Sequence, residues 1–344
     1  MNSDTASIST YYGDGYDDAM SLVESDCGYH SASTDDAPST SAATTTIASE
    51  VTNYKWEHGR RYHSYSENLY FAPNDDTQNQ QLEILHHIYT IMLGRLFVSP
   101  IDCPDRVLDL GTGTGIWAID MADAYPSSRI LGNDLSPVQP TWIPANCAFE
   151  VDDITRPWVH PPRSFDFIFA RDLYGGVADW PKLLSEVHTA LVPGGYFESI
   201  ELAIQCKSAL FPENNDDIPD EWPLKKWYVM GHEAARRAGR PIDFHGSMKN
   251  WMRRAGFEAV EERILKIPLG GWDENRRRVG KLAMKSMLDG AEGFCLALFT
   301  RWLGLSAEET RRICTEAMKQ LGDEKLKLYV EAYVLTPLMN EVGG

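Results

Sequence analysis

The first fifty residues contain no lysine or arginine, although they carry nine aspartates or glutamates. The formal net charge of the 344 residues is −18, so half of it lies in this head. Because phosphate binding relies on clustered Lys and Arg, we expect no direct nucleic-acid partner. The head also has too few large apolar side chains to offset the entropy of ordering. We predict a disordered, acidic, Ser/Thr-rich tail over residues 1–52 and one folded domain over 53–344.

Closely spaced cysteines and long apolar runs are missing as well, and we expect no signal peptide. The six cysteines include no C-x-x-C pair, and a chain of this length does not need disulfides, which favours a reducing compartment. No apolar run reaches the ~18 residues of a membrane-spanning helix. The N-terminus lacks the basic and apolar regions of a signal peptide. We therefore expect a cytoplasmic protein without a membrane partner.

A predicted helix at 80–97 comes first, and from residue 106 onward apolar strands alternate with amphipathic helices. The predicted strands are 106–110, 129–134, 149–151, 165–169 and 196–202, and the predicted helices are 80–97, 116–124 and 180–191. Such alternation is typical of βαβ units, in which helices cover both faces of a parallel sheet. The sequence therefore predicts an α/β fold.

The second half of the chain is mainly helical. Helices are predicted over 222–238 and 247–255 and through most of 274–328, with strands at 257–268 and 332–336. Helices that interrupt two late strands can cover a binding site. We predict a helical substrate lid at about 210–255 and 274–328. Its apolar side chains between residues 294 and 302 favour packing in the core of the lid over a substrate pocket.

Three glycines follow the first predicted strand of the sheet, at Gly111, Gly113 and Gly115. Glycine allows positive φ angles and a close approach of a ligand to the backbone. In open α/β sheets, ligands bind outside the carboxyl ends of the strands. The fingerprint of dinucleotide-binding folds needs one more glycine, and Ile116 stands at that position. The turn therefore favours a cofactor without a pyrophosphate.

Acidic residues follow the first three strands. Asp109 is placed to hold a cationic amino group, and Asp134 can accept hydrogen bonds from both hydroxyls of a ribose. A carboxylate of the pair Asp152 and Asp153 can receive the exocyclic amine of adenine. S-adenosylmethionine (SAM) has these three groups, whereas NAD lacks the cationic amine. We predict SAM as the cofactor, bound by the half of the domain at about 100–205.

The phrase DLGTGTGIWAID at residues 109–120 resembles class I methyltransferases and, more closely, the LaeA-type family of fungal methyltransferases. Residues 59–63, 134–140 and 165–171 support the resemblance, which covers about residues 56–336. It implies a Rossmann-like seven-stranded sheet with an antiparallel last strand and helical lid insertions. It also implies a role in fungal secondary metabolism.

Further residues are candidates for the cofactor site. Thr112 lies within the glycine turn, and Leu135 follows Asp134. Tyr62 lies in a polar aromatic segment that either folds over the cofactor or packs on the surface. Arg171 follows the fourth strand and either separates cofactor from substrate or forms a surface ion pair. We assign all four to the cofactor site.

No spacing rule identifies a catalytic base. Methyl transfer needs mainly positioning of the acceptor, and some acceptors must also lose a proton. His63, His245 and Glu198 are our candidates, with the hypothesis that none is indispensable. Glu198 and the nearby Glu201 end the fifth strand, where a carboxylate either orients an amine substrate or caps the next helix. The neighbouring histidines at 86 and 87 have no third ligand near them, and we predict no metal.

Two functions are consistent with these features. The first is methylation of an oxygen or nitrogen of a small-molecule acceptor in fungal secondary metabolism. The second is a LaeA-like regulatory methyltransferase within a nuclear protein complex, which implies a protein partner and a nuclear location. The cofactor motif is common to both functions.

Overall fold

The computed structural model describes residues 53–63 and 70–339, so the predicted acidic tail lies outside the described residues. The strands are β1 (Lys55–Glu57), β2 (Arg60–Tyr62), β3 (Arg106–Leu110), β4 (Arg129–Asp134), β5 (Cys147–Val151), β6 (Phe165–Arg171), β7 (Leu191–Ser208), β8 (Phe257–Pro268) and β9 (Leu328–Met339). The helices are α1 (Asp76–Leu93), α2 (Ile116–Ala124), α3 (Trp180–Ala190), α4 (Pro223–Arg237), α5 (His245–Arg254), α6 (Arg277–Leu298) and α7 (Ala307–Leu321).

Seven strands form one sheet in the order β5-β4-β3-β6-β7-β9-β8. Strands β5, β4, β3, β6 and β7 are parallel to one another, and β9 pairs antiparallel with both β7 and β8. The chain leaves β3 toward β4 on one side and returns to β6 on the other. The crevice at this switch point is where open α/β sheets bind ligands. The predicted α/β, Rossmann-like seven-stranded sheet is confirmed.

Apolar side chains on the two faces of the sheet form two cores. One core joins the sheet to α1 and α2, and in it Trp117 stacks on Phe169 with ring centroids 3.9 Å apart. The second core joins the sheet to α3 and α5. Strand β3 is buried on both faces beyond its first residue, which explains its nearly continuous apolar sequence.

The first long helix lies four residues earlier than the sequence predicts. Asp75 caps α1, because its side chain accepts a hydrogen bond from the Gln78 amide at 3.1 Å. Gly94 ends the helix with a left-handed φ of 69°. Leu96 and Phe97 are buried beyond this end, and their apolar character extended the predicted helix too far.

The three helices α4, α6 and α7 pack against one another and against the segment 299–304 that links α6 to α7, and we call these four parts the cap. The cap rests on α1, and its Phe294, Leu298 and Phe299 are buried in the core that joins it to α1 and the sheet, in agreement with core packing. Helix α5 does not join the cap, although the predicted lid included it. Met248 and Met252 of α5 pack in the core that contains α3. None of the helices in the described ranges is long and apolar enough to cross a membrane.

Candidate active site

A pocket opens outside the carboxyl ends of β3, β4, β5 and β6. Ten residues predicted from the sequence line it: His63, Asp109, Gly111, Thr112, Gly113, Asp134, Leu135, Asp152, Asp153 and Arg171. Four do not: Tyr62, Gly115, Glu198 and His245. The structure therefore brings together residues from five separate segments of the chain.

The glycine turn between β3 and α2 needs its glycines for two reasons. Gly111, Gly113 and Gly115 all have positive φ angles, of 64°, 57° and 80°. A Cβ on Gly115 would lie 2.5 Å from the Phe149 ring, which is closer than atoms can pack. Gly115, the residue directly before α2, is therefore needed for the shape of the turn, although it does not line the pocket.

Asp134 has a structural role that the sequence did not reveal. Its Oδ2 accepts a hydrogen bond from the Gly113 amide at 2.9 Å, and its Oδ1 accepts one from the Ser136 amide at 2.9 Å. It therefore fixes the glycine turn. Burial raises the pKa of Asp134 to about 6, although these amides oppose the rise. Each carboxylate oxygen has a second lone pair available for a ligand hydroxyl.

Asp109 is buried near the end of β3, two residues before Gly111. Its Oδ2 accepts a hydrogen bond from the Thr112 hydroxyl at 2.5 Å. Burial raises the pKa of Asp109 to about 7, while the Thr112 hydrogen bond and the charge of Arg171 lower it in part. A cation that enters the pocket would stabilise the ionised form of this buried carboxylate.

The two aspartates after β5 differ in their surroundings. Asp153 is buried, and its Oδ1 accepts from the Thr155 amide at 2.9 Å and hydroxyl at 2.6 Å. Its other oxygen lies 3.4 Å from the Arg156 guanidinium. Asp152 is only half-buried, and its Oδ1 accepts from the Asp153 amide at 2.8 Å. Asp153 therefore mainly stabilises its own turn, and Asp152 is the freer carboxylate.

Arg171 is held by a buried chain of side chains. Its Nη1 lies 3.1 Å from Nδ1 of His86, and Nε2 of His86 lies 2.8 Å from Oδ2 of Asp120. Burial lowers the pKa of His86 to about 4, so the imidazole is neutral at physiological pH. The guanidinium has only donors, so Nδ1 accepts and Nε2 donates to Asp120. No sequence pattern predicted this link between α1, α2 and β6.

The segment before α1 contributes unequally to the pocket. His63 lines it, with Nε2 3.3 Å from the Tyr70 carbonyl oxygen, and Tyr70 lines it too. Tyr62 is buried outside the pocket, beneath the guanidinium of Arg301, which lies 5.0 Å from its ring centre. Burial raises the pKa of Tyr62 to about 12. The structure therefore places Tyr62 in the contact between the β1–β2 hairpin and the cap, outside the predicted cofactor site.

Glu198 and His245 do not reach the pocket. Glu198 is fully buried and accepts hydrogen bonds from the amides of Val98 and Ser99 and from the Ser99 hydroxyl, all at 2.8–3.1 Å. His245 stacks on the Tyr333 ring in the layer of α5, 4.8 Å away. Burial lowers its pKa to about 4. Glu198 was predicted because it ends the fifth predicted strand, and His245 because its segment could reach the mouth of the crevice, but strand alternation and helix packing turn these side chains elsewhere.

Asp172, directly after β6, is a pocket residue that was not among the predicted site residues. It has a left-handed φ of 53°, and its Oδ1 accepts from the Tyr89 hydroxyl at 3.0 Å and the Leu202 amide at 3.2 Å. Burial raises its pKa to about 6, and the neighbouring charge of Arg171 opposes the rise. Strained backbone at the end of a central strand is a common feature of ligand sites.

The pocket residues fit SAM. The buried carboxylates of Asp109, Asp134 and Asp172 have raised pKa values, which a ligand with positive charge and hydroxyl donors would lower. Arg171 offers a cation for the carboxylate of an amino acid. The glycine turn allows a close approach of the ligand to the backbone.

Comparisons with known proteins agree with this geometry. A family model described as a methyltransferase domain matches residues 81–262. "Methyltransferase pytC" of Aspergillus terreus is 39% identical over 83% of this chain and 89% of its own length. "Secondary metabolism regulator LAE1" of Cochliobolus heterostrophus is 32% identical over 84% and 96%. "Protein-methionine methyltransferase laeA" of Emericella nidulans is 31% identical over 82% and 75%.

Fold, pocket and relatives therefore lead to the same conclusion. The match to the methyltransferase model spans the glycine turn and all four strands that meet at the pocket. The relatives extend the similarity over most of the chain. The chain belongs to the LaeA-type family of fungal class I methyltransferases and is a SAM-dependent enzyme with a methyl acceptor as its substrate.

Proposed function

We propose that this enzyme methylates an oxygen or nitrogen of a small molecule in fungal secondary metabolism. The observation that carries the proposal is the lining of the pocket, which includes Tyr70, Asp172 and Leu173 in addition to the residues predicted for the cofactor. A pocket with these further side chains suits a compact acceptor group. The similarity to "Methyltransferase pytC", at higher identity than to the regulators, supports the same function.

The cofactor roles follow from the position of each side chain in the pocket. We assign the ribose hydroxyls to Asp134, the ammonium group to Asp109 and the amino-acid carboxylate to Arg171. The adenine amine is assigned to Asp152, because Asp153 is occupied by its own turn. His86 and Asp120 keep the Arg171 guanidinium in place.

The chain contributes mainly positioning. Bound SAM supplies a methyl group that the positive charge on its sulfur already activates. The pocket holds the donor and the acceptor together, so that the reacting atoms come within ~3–3.5 Å. His63 is the one predicted base that lines the pocket. We therefore infer that any proton acceptor lies among His63 and the carboxylates that line the pocket, such as Asp172.

Transfer of a deuterated methyl group from SAM tests the proposal. The full chain is incubated with labelled SAM and a metabolite extract of the producing fungus, and label is measured separately in small molecules and in proteins. We expect label in a small molecule, with none in the Asp134→Ala variant. Label in proteins alone would contradict the proposal.

The second candidate function is a regulatory methyltransferase in a nuclear complex. The relatives named secondary metabolism regulators, at 31–32% identity, favour it. It implies a protein partner and a nuclear location, whereas the small-molecule function implies the cytoplasm. Affinity purification from fungal nuclei, followed by mass spectrometry, distinguishes the two locations and detects a stable partner.

A further inference from the structure

The Arg171 guanidinium lies near two carboxylates of the pocket lining and pairs with neither of them. Asp172 is its neighbour in sequence, and Asp109 lies on the adjacent strand β3, in register with Phe169. Because side chains alternate along a strand, Phe169 and Arg171 point to the same face of the sheet as Asp109. Within the described ranges, the guanidinium nevertheless forms no ion pair, and its hydrogen-bond partner is the buried imidazole of His86. A neutral group therefore anchors the cation.

Two aromatic rings lie against the same guanidinium. Its Cζ is 5.6 Å from the centre of the Tyr89 ring and 5.9 Å from the centre of the Phe169 ring. At these distances a cation is attracted to the face of a ring. Phe169 is itself held by its stacking on Trp117 of α2. Such ring contacts attract the cation without fixing its direction, so the hydrogen bond to His86 sets the orientation of the guanidinium plane.

Asp120 of α2 completes the anchor from the far side of the imidazole ring. His86 is fully buried and Asp120 is buried as well, with 2.8 Å between Nε2 and Oδ2. The guanidinium offers only donors, so Nδ1 of His86 must be the unprotonated nitrogen. In the other tautomer, two donors would face each other. Asp120 accepts from the Nε2 proton and thereby holds both the tautomer and the orientation of the ring.

A neutral anchor preserves the charge of Arg171 for a ligand. An ion pair with Asp109 or Asp172 would compensate that charge and would occupy the oxygens that we assign to the ammonium group of SAM. The Asp120 carboxylate lies farther away, behind the imidazole ring. Arginine binds a carboxylate through two parallel hydrogen bonds, which require a fixed guanidinium plane. The chain from Asp120 to Arg171 thus presents an oriented cation to the pocket.

We propose that His86 and Asp120 are positioning residues that orient Arg171 toward the carboxylate of SAM and keep it from pairing with Asp109 and Asp172. Neither His86 nor Asp120 lines the pocket. The inference rests on the cofactor roles proposed above but not on the nature of the methyl acceptor. It goes beyond those roles, because it makes two buried residues outside the pocket responsible for selecting a cofactor with an amino-acid carboxylate.

The test compares two ligands that differ only in the carboxylate, SAM and decarboxylated SAM. Their affinities are measured by calorimetry on the full chain for wild type, Arg171→Met, His86→Leu, Asp120→Leu and Asp120→Asn, and melting temperatures are measured alongside. The readout is the ratio of the two affinities. Because both ligands are measured on the same preparation, a general loss of stability does not change this ratio, whereas a misplaced guanidinium does.

Gln81→Leu is the matched control in the same helix. Gln81 is a buried polar residue of α1, like His86, and its Nε2 donates a hydrogen bond to the Ser286 hydroxyl of α6 at 3.1 Å. It does not line the pocket. The variant removes a buried polar contact between α1 and the cap without touching the chain that holds Arg171. It should melt below wild type and keep the wild-type affinity ratio.

We expect wild type to bind SAM at least tenfold more tightly than decarboxylated SAM. The ratio should fall below about threefold in Arg171→Met and in His86→Leu, and at least threefold from the wild-type value in Asp120→Leu. Asp120→Asn should stay within about threefold of wild type, because its carbonyl oxygen still accepts from the Nε2 proton of His86. If His86→Leu does not fold, the difference between Asp120→Asn and Asp120→Leu decides.

Several results would overturn the inference. Equal affinities of wild type for the two ligands would refute the role of Arg171 and, with it, the anchor. A wild-type ratio in His86→Leu or Asp120→Leu would show that Arg171 needs no positioning residue. A lost ratio in Gln81→Leu would show a general effect of α1. Label on proteins alone in the experiment above would refute the small-molecule function but leave these ratios unchanged, so the two failures are distinguishable.

Discussion

The cofactor edge of the sheet and the cap are built on different principles. At the ends of β3, β4 and β5, polar side chains are fixed by short hydrogen bonds to nearby backbone, as Asp134 is by Gly113. In the cap, α4, α6 and α7 bury apolar side chains against one another, and none of their residues lines the pocket. Arg240, in the loop after α4, is the contribution of this region to the lining. The turns at the strand ends therefore position the side chains that line the pocket, and the cap stabilises the segments behind these turns.

Replacement of a left-handed glycine in each region should give the largest difference. Gly115→Ala meets both an unfavourable φ of 80° and the Phe149 ring, whereas Gly304→Ala, at φ 73° in the cap, meets open space. The backbone strain alone costs ~1 kcal/mol or slightly more. We expect the overlap with Phe149 to add ~1–3 kcal/mol in Gly115→Ala. Thermal unfolding of both variants measures the difference.

The two glycine variants control for each other, because they share the strained conformation. We expect Gly115→Ala to melt at least ~2 °C below Gly304→Ala. Equal melting temperatures would mean that Phe149 moves aside freely and that the turn is less rigid than its contacts indicate.

Removal of a carboxylate from the cofactor edge should weaken cofactor binding strongly. Asp134→Ala removes the acceptor of the proposed ribose contacts and releases the Gly113 and Ser136 amides. Hydrogen bonds to a charged group contribute ~1.5–3 kcal/mol, so we expect SAM affinity to fall more than tenfold. The control is Asp273→Ala, which removes the side chain that accepts hydrogen bonds from the first amides of the short helical turn before α6. This variant should bind SAM normally. Calorimetry that shows equal affinities for Asp134→Ala and wild type would contradict the role of Asp134.

A smaller effect is expected from the pH dependence of Asp109. Its pKa is raised to about 7 by burial, so the carboxylate is partly protonated at neutral pH in the free protein. An ammonium group binds the ionised form, so SAM affinity should fall as the pH drops from 8 to 6. We expect a loss of about three- to tenfold. Asp134, with a pKa of about 6, acts in the same direction at lower pH.

Asp109→Asn tests this assignment. The variant should bind SAM more weakly at pH 8, and its SAM affinity should no longer change between pH 8 and 7. The fall in SAM affinity below pH 6 should remain. Proton release on binding is measured by calorimetry in buffers of different ionisation enthalpy. Wild-type release that persists in Asp109→Asn would assign the titration to another group.

The smallest effect is expected from the acidic head. Its composition lacks the apolar side chains that would join a core, so we predict that removal of residues 1–50 leaves the melting temperature and SAM affinity within error. A drop of several degrees would show that the head packs on the domain.

Sequence patterns predicted the cofactor edge much better than the acceptor side. Strands β3 and β4 and helix α2 have the predicted bounds, because each joins a clear apolar period to a glycine turn or an acidic strand end. Tyr70 and Asp172 escaped prediction as pocket residues because they come from distant segments without fixed spacing. Periodicity also cannot tell whether a helix such as α5 packs on the sheet or in a cap. Strand alternation predicts that Glu198 and Glu201 point to opposite faces of the sheet, but it does not predict how either face lies relative to the pocket.

Hydrogen exchange of the full chain with and without SAM tests the central claim most directly, namely that turns at the sheet edge bind the cofactor while the cap supports them. We predict that SAM slows exchange most in four segments: 109–116, 133–138, 152–155 and 171–176. The cap helices at 223–237 and 307–321 should change little. Strongest protection in these helices, with unchanged exchange in the glycine turn, would contradict the account.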